Sequence, residues 1–165
     1  TYEVAHIPIP DDVKVVVRFV MARKLEGSEY AQRVDECQLA ERFVGPLNMA
    51  GIDEVANIPD AIVRSRAIHV VSENARVSAF ATALSAGDFS QAGELMLESH
   101  KSLAENFAVS VPEMDQAVAH LAATPGVYGA RMTGGGFGGC VVALCEPNAK
   151  VEGWVVEPVG AASLQ

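Results

Sequence analysis

Basic residues are scarce. Lys and Arg number 12 against 21 Asp and Glu, a formal charge of −9 over 165 residues. An acidic surface repels phosphate backbones and anionic lipid headgroups, so the composition excludes nucleic acid as a partner and argues against a membrane surface. A nucleotide, if one binds, must be held by local backbone N–H groups or a few placed cations, because the global field opposes it. Cysteine is scarcer still: Cys37, Cys140 and Cys145 are odd in number, show no CxxC spacing and have no neighbouring His. That excludes a structural zinc site, and no other metal-ligand pattern stands out. Cys140 and Cys145 lie an odd number of positions apart in an apolar run, so on a strand they point to opposite faces and do not pair. Reduced thiols imply a cytoplasmic protein. Long apolar runs and a basic leader are missing as well. Thr1-Tyr2-Glu3-Val4 resembles neither a signal peptide nor a membrane span and reads as an entry point within a longer protein. Aromatics make up only 6%, while half the chain is hydrophobic and rich in Ala and Val. Those proportions suit helices packed closely on a sheet, with residues 1–165 forming one domain around one core.

The patterning supports that class. Val13 to Val20 is β-branched and follows the breakers Pro8 and Pro10, which predicts a buried strand. From Ser28, placed as a cap, Tyr30, Val34, Cys37 and Phe43 or Val44 recur at helical spacing until Gly45-Pro46. Asn48 to Pro59 reads as a connection with one short helical turn. Ile62, Ala67, Ile68, Val71, Ala75 and Phe80 suggest one face of a long helix, and Gly87-Asp88 marks a junction to another running through Leu103. Ser110-Val111-Pro112-Glu113 fits an S-x-x-E capping box and starts a helix that Pro125-Gly126 ends. Strands are expected at Val127–Met132, Cys140–Cys145 and Gly153–Val156. The sum is an α+β fold, a two-layer arrangement in which an antiparallel or mixed sheet is covered by helices.

Gly134-Gly135-Gly136-Phe137-Gly138-Gly139 formally satisfies G-x-G-x-x-G. A dinucleotide fingerprint, however, needs a helix after its last glycines, and a Walker loop needs a Lys-Ser/Thr pair. Here a strand follows, so both nucleotide readings fail on context. What remains is a loop whose missing side chains let a ligand or another backbone approach closely. A wide hairpin whose glycines only permit tight packing and a functional loop are equally compatible with the residues.

The stretch Gly129-Ala130-Arg131-Met132-Thr133-Gly134-Gly135-Gly136-Phe137-Gly138-Gly139-Cys140 resembles the third sequence motif of the GHMP kinases in the form galactokinases carry. Gly27-Ser28-Glu29-Tyr30 with Arg33, Glu36 and Cys37, then Ser72-Glu73-Asn74-Ala75-Arg76, then Glu98-Ser99-His100 through Pro112, resemble that family in the same order. The resemblance implies a GHMP kinase C-terminal domain-like fold and transfer of the ATP γ-phosphate to the C1 hydroxyl of galactose, assisted by Mg²⁺. It implies that the catalytic Asp and the phosphate loop belong to an amino-terminal half with no counterpart here, so no catalytic residue is assigned and turnover by this chain alone is not expected. Two features carry over. Tyr30 matches the tyrosine that contacts galactose, and Gly134, Gly135, Gly136, Phe137 and Gly138 match the loop that supports phosphate binding in the cleft.

Spacing alone makes Tyr30 a core tyrosine sharing a face with Val34 and Cys37. His100 reads as a packed or surface histidine, since neighbours on a helix cannot form a triad with it. Arg131 reads as a solvated or paired strand arginine before it reads as a phosphate ligand. Two departures from the family stand out: Arg18-Phe19-Val20 replaces a Ser-containing segment, and Glu146–Lys150 runs almost directly to Trp154 where many relatives have a helix, leaving a sheet face less covered. Another GHMP kinase, for instance one acting on an amino sugar, a non-catalytic galactose sensor and a fold remnant without a ligand remain the alternatives.

Overall fold

Strand β1 (Lys14–Met21) organises the domain, and in the computed structural model, which describes residues 7–23 and 29–156, it lies between two partners. Helices α1 (Glu29–Val44), α2 (Ile52–Ala56), α3 (Ala61–Ala86), α4 (Phe89–Glu105) and α5 (Pro112–Ala122) follow, then strands β2 (Val127–Thr133), β3 (Gly139–Cys145) and β4 (Trp154–Val156). The sheet order is β2-β3-β1-β4, and every pairing is antiparallel. The expected α+β class, with helices laid on a small sheet, is the architecture observed.

Period-two alternation assigns the strand side chains to two cores. Val16, Ala130, Met132, Val141, Ala143 and Cys145 join Met114, Val118 and Leu121 of α5. Val15, Val142 and Leu144 point the other way, to Ala83 and Leu84 of α3 and Ala92, Leu95 and Met96 of α4. Met114 and Met132 are fully buried, and burial of each contributes about 1.5–3 kcal/mol. A third cluster, with Ala40, Leu47, Val55, Ile58, Val63 and Ala67, ties α1, α2 and the start of α3 together.

Helix α4 meets β2 backbone to backbone. A Cβ on Gly93 would stand 2.1 Å from the Tyr128 carbonyl oxygen, and one on Gly129 would stand 2.1 Å from that of Gly93. No other residue fits either position without moving the helix.

The helix boundaries largely follow the sequence signals. Gly87 ends α3 in the left-handed region at φ 73°, and Asp88 caps α4 by accepting from the Gln91 N–H at 3.0 Å. The short turn expected between Asn48 and Pro59 is α2. Ser28, expected to cap α1, lies outside the described residues.

Three expectations are corrected. Ser110 does not cap α5. Pro112 occupies the first helical turn and requires an extended residue before it, so Val111, at φ −131° and ψ 157°, is the N-cap, and the Ser110 hydroxyl donates to Asp115 instead, at 2.5 Å. On α1 the expected apolar stripe is split: Tyr30 is 59% exposed, Phe43 54% and Val34 41%, Cys37 and Val44 pack against the third cluster, and Arg33 and Ala40 are buried. Arg33 can be buried because each of its three guanidinium nitrogens has an acceptor, as described below. On α3, Ile62 and Ala75 are exposed and the buried set begins at Val63, Arg66 and Ala67.

The sparse cover expected after Glu146–Lys150 is observed. Helix α5 packs mainly on β2, with less contact to β3 and β1. Trp154, Val155 and Val156 of β4 are all exposed.

Candidate functional site

The glycine-rich segment joins β2 to β3 in a conformation few residues adopt. Gly134, Gly136, Phe137, Gly138 and Gly139 all have positive φ, at 88°, 87°, 58°, 119° and 101°. Phe137 does so at a steric cost, offset by its ring packing on the α5-side core. The glycines on either side of it are needed for close approach. A Cβ at Gly135 would meet the Arg23 guanidinium at 2.1 Å, one at Gly136 the Val109 carbonyl oxygen at 2.5 Å, and one at Gly138 the Ala22 carbonyl oxygen at 3.0 Å. Gly134 faces open space.

Two hydrogen bonds hold the loop. Arg23 Nε, just past β1, donates to the Gly136 carbonyl at 2.8 Å. The Phe137 N–H donates to the Val109 carbonyl at 2.8 Å. Among the described residues the N–H groups of Gly134, Gly135, Gly136 and Gly138 have no backbone acceptor. Gly134 is exposed and Gly135 half-buried, whereas Gly136 and Gly138 are buried, so the braced loop offers the outer two amides beside one guanidinium, suited to an oxyanion despite the overall acidic charge.

The bracing continues into α1 and α3. Arg33 Nε donates to the Phe107 carbonyl at 2.6 Å, and its Nη2 to that of Ala108 at 3.0 Å. Glu36 Oε2 accepts from Arg33 Nη1 at 3.1 Å and from Arg66 Nε at 2.7 Å. Arg66 Nη1 reaches the Asn106 carbonyl. These contacts define the turn at Asn106–Ala108, where Ala108 has φ 52°, and Val109 follows directly to hold Phe137. Tyr30 stands one turn before Arg33 on α1. Its side chain makes no hydrogen bond among the described residues, so its phenol is open to solvent and its ring is not part of the core.

Sequence reasoning missed Arg23 as the partner of the loop and Arg66 as the partner of Glu36. The only local signal for either was an arginine near an otherwise apolar element. Arg131 is paired: its Nη1 donates to Glu73 Oε1 at 2.9 Å. Burial would raise the Glu73 pKa, but hydrogen bonds from Ser99 and Arg76 and the charge of Arg131 outweigh it and hold the carboxyl below its usual range. His100 is packed. Its Nδ1 accepts from the Met132 N–H at 3.3 Å, and its Nε2 lies 3.1 Å from Asp115 Oδ1, out of hydrogen-bond alignment. Burial lowers its pKa. All three cysteines are free. Among the described residues no three His, Cys, Asp or Glu side chains converge to hold a metal ion, and no helix is long and apolar enough to cross a membrane.

Comparison with known proteins places this loop in a wider context. Residues 80–153 match the family described as GHMP kinases C terminal. The chain is 40% identical to a galactokinase of Chloroflexus aggregans over 96% of its own length and 43% of that protein's. It superposes on the crystal structure of Lactococcus lactis galactokinase complexed with galactose with a TM-score of 0.78 and 34% identity, covering 88% of this chain and 40% of that one. The fold extends to L. major mevalonate kinase in complex with R-mevalonate, at a TM-score of 0.59 and 21% identity over 86% and 36% of the two chains. The chain thus spans less than half the length of these relatives.

Proposed function

Since residues 80–153 match the carboxy-terminal family of the GHMP kinases, we propose that the chain is the carboxy-terminal part of a galactokinase, which moves the γ-phosphoryl group of ATP to galactose and gives galactose 1-phosphate and ADP. The observation that carries this reading is the 40% identity to a galactokinase across 96% of the chain. Phosphoryl transfer relies on positioning and charge stabilisation more than on covalent chemistry by the protein, which suits a domain whose contribution is a rigid wall.

In this reading the loop Gly134–Gly138 backs the phosphates of ATP, with the amides of Gly134 and Gly135 as its outer donors and Arg23 fixing the loop. Tyr30 offers its exposed phenol to a sugar hydroxyl. The base that takes the sugar proton and the groups that hold Mg²⁺ lie outside this chain, in an amino-terminal half. The free thiols accord with a cytoplasmic enzyme.

The test is product formation. The full-length kinase, given ATP and a panel of galactose, galactosamine, glucose and mevalonate, is expected to release ADP with galactose as its preferred acceptor, while this chain alone gives no turnover. Galactose binding without product by the full-length protein would replace the enzyme with a sensor, and preference for another acceptor would move it to a different GHMP kinase.

A further inference from the structure

Between α3, α4 and the sheet face that carries Val142 and Leu144 lies a cavity of about 370 Å³. That volume falls in the range of about 300–1,000 Å³ usual for small-molecule pockets. Phe80, Leu95, Met96 and Leu144 make much of its wall apolar. The polar part is compact: Glu73 Oε1 accepts from Arg131 Nη1 at 2.9 Å and from the Ser99 hydroxyl at 2.5 Å, and its Oε2 accepts from Arg76 Nε at 2.8 Å.

Two guanidiniums therefore share one carboxylate, leaving one net positive charge in the pocket of a chain whose formal charge is −9. Donors are left over too. Arg76 Nη2 donates to Ser72 at 2.9 Å and Arg131 Nε to the Met132 carbonyl at 3.2 Å, but Arg76 Nη1 and Arg131 Nη2 have no acceptor among the described residues. Arg131 keeps 32% of its side chain exposed. A satisfied ion pair for Glu73 would need only one arginine and no cavity beside it.

We propose that this cavity is a binding site for a small amphipathic monocarboxylate, whose carboxylate pairs with the spare donors of Arg131 and Arg76 and whose hydrocarbon body packs on Met96, Leu95 and Leu144. One anionic head balances the single excess charge, and the apolar walls demand a body without hydroxyls. Galactose, hydroxylated all round, and ATP, highly charged, both mismatch it. Neither Tyr30 nor Gly134–Gly138 lines the cavity, so the proposal does not rest on the kinase reading above.

The experiment compares octanoate, octanol and octylammonium, titrated into the full-length protein carrying ¹³C-labelled Met and Leu methyl groups. Octanoate is expected to shift the Met96, Leu95 and Leu144 methyls saturably. Octanol should bind at least about tenfold more weakly, since a charge-assisted hydrogen bond is worth roughly that factor, and octylammonium should leave these methyls unmoved. Arg131→Met should erase the preference for octanoate over octanol. Glu73 retains Arg76 and Ser99 in that variant, and if it fails to fold, the three probes on the unaltered chain decide alone. Equal affinity for octanoate and octanol, shifts centred on methyls away from the cavity such as Met21 beside the exposed Phe19, or no saturable shift with any probe would each overturn the proposal.

Discussion

Arg23 and Gly136, 113 positions apart in sequence, are joined by a hydrogen bond of 2.8 Å from the guanidinium Nε to the carbonyl oxygen. The side chain that leaves the end of the central strand thereby sets the curvature of the glycine loop, and the absent Cβ of Gly135 makes room for it. Replacing Arg23 with Met removes a charge-assisted bond worth about 1.5–3 kcal/mol to the closed loop. Amide exchange at Phe137, whose N–H is held by the Val109 carbonyl, should accelerate by tenfold or more, while exchange in α5 stays unchanged. In the full-length kinase the same change should raise the KM for ATP more than that for galactose.

The loop glycines are not equivalent. Gly136→Ala forces a side chain into the left-handed region and onto the Val109 carbonyl, and should cost about 2–4 kcal/mol. Gly134→Ala meets the backbone penalty alone, about 1–2 kcal/mol, because nothing lies within 4 Å of its Cβ position. Urea denaturation of the two variants would read the difference, and equal losses would mean that Val109 does not hold the loop.

Gly93→Ala is a case where helix propensity points the wrong way. Alanine favours an isolated helix by about 0.8–1.0 kcal/mol over glycine, yet its methyl group would enter the Tyr128 carbonyl at 2.1 Å. A net destabilisation of at least about 2 kcal/mol is expected by thermal or chemical denaturation.

Tyr30→Phe should leave stability within about 0.5 kcal/mol, since the ring is 59% exposed. In the full-length kinase it should raise the galactose KM several-fold without changing that for ATP. Unchanged galactose kinetics would remove Tyr30 from the sugar site.

Stability should fall on acidification. Burial beside Phe107 lowers the pKa of His69 from 6.5 to about 4, with Arg76, Arg131 and Arg66 adding to the effect against Glu73. Between these values the unfolded chain binds a proton that the folded chain refuses, so unfolding becomes easier as pH drops from 6.5 towards 4, by up to about 1.4 kcal/mol per pH unit. His100, also lowered, acts in the same direction, and so does Glu73, whose depressed carboxyl loses its ion pairs in acid. His69→Gln should flatten the slope measured by denaturation at stepped pH.

How much of this was legible in the sequence varies by residue. The strands at Val13–Val20 and Cys140–Cys145 were legible because β-branched runs bounded by breakers have few other solutions. The α3–α4 junction was legible in Gly87-Asp88, where a left-handed glycine and a capping carboxylate carry local instructions. The cap of α5 was misread, although Pro112 contained the correction, because the S-x-x-E pattern was followed instead of the constraint proline places on Val111. The resemblance to galactokinases singled out the loop but said nothing of what braces it.

The sequence by itself determined the element order, the class of fold, and a loop that must tolerate positive φ and close approach, since those follow from local sterics and short-range periodicity. Only the tertiary structure decided which faces are buried. Arg33 turns inward because Phe107, Ala108 and Glu36 supply acceptors that satisfy its charge, and Tyr30, one turn away, is left outside. Nor does local sequence pair Arg23 with Gly136, or Arg131 with the Glu73 that Arg76 already meets one turn along its own helix. Hydrogen bonds and ion pairs between distant segments depend on where the chain brings them, and no window of neighbouring residues contains that information.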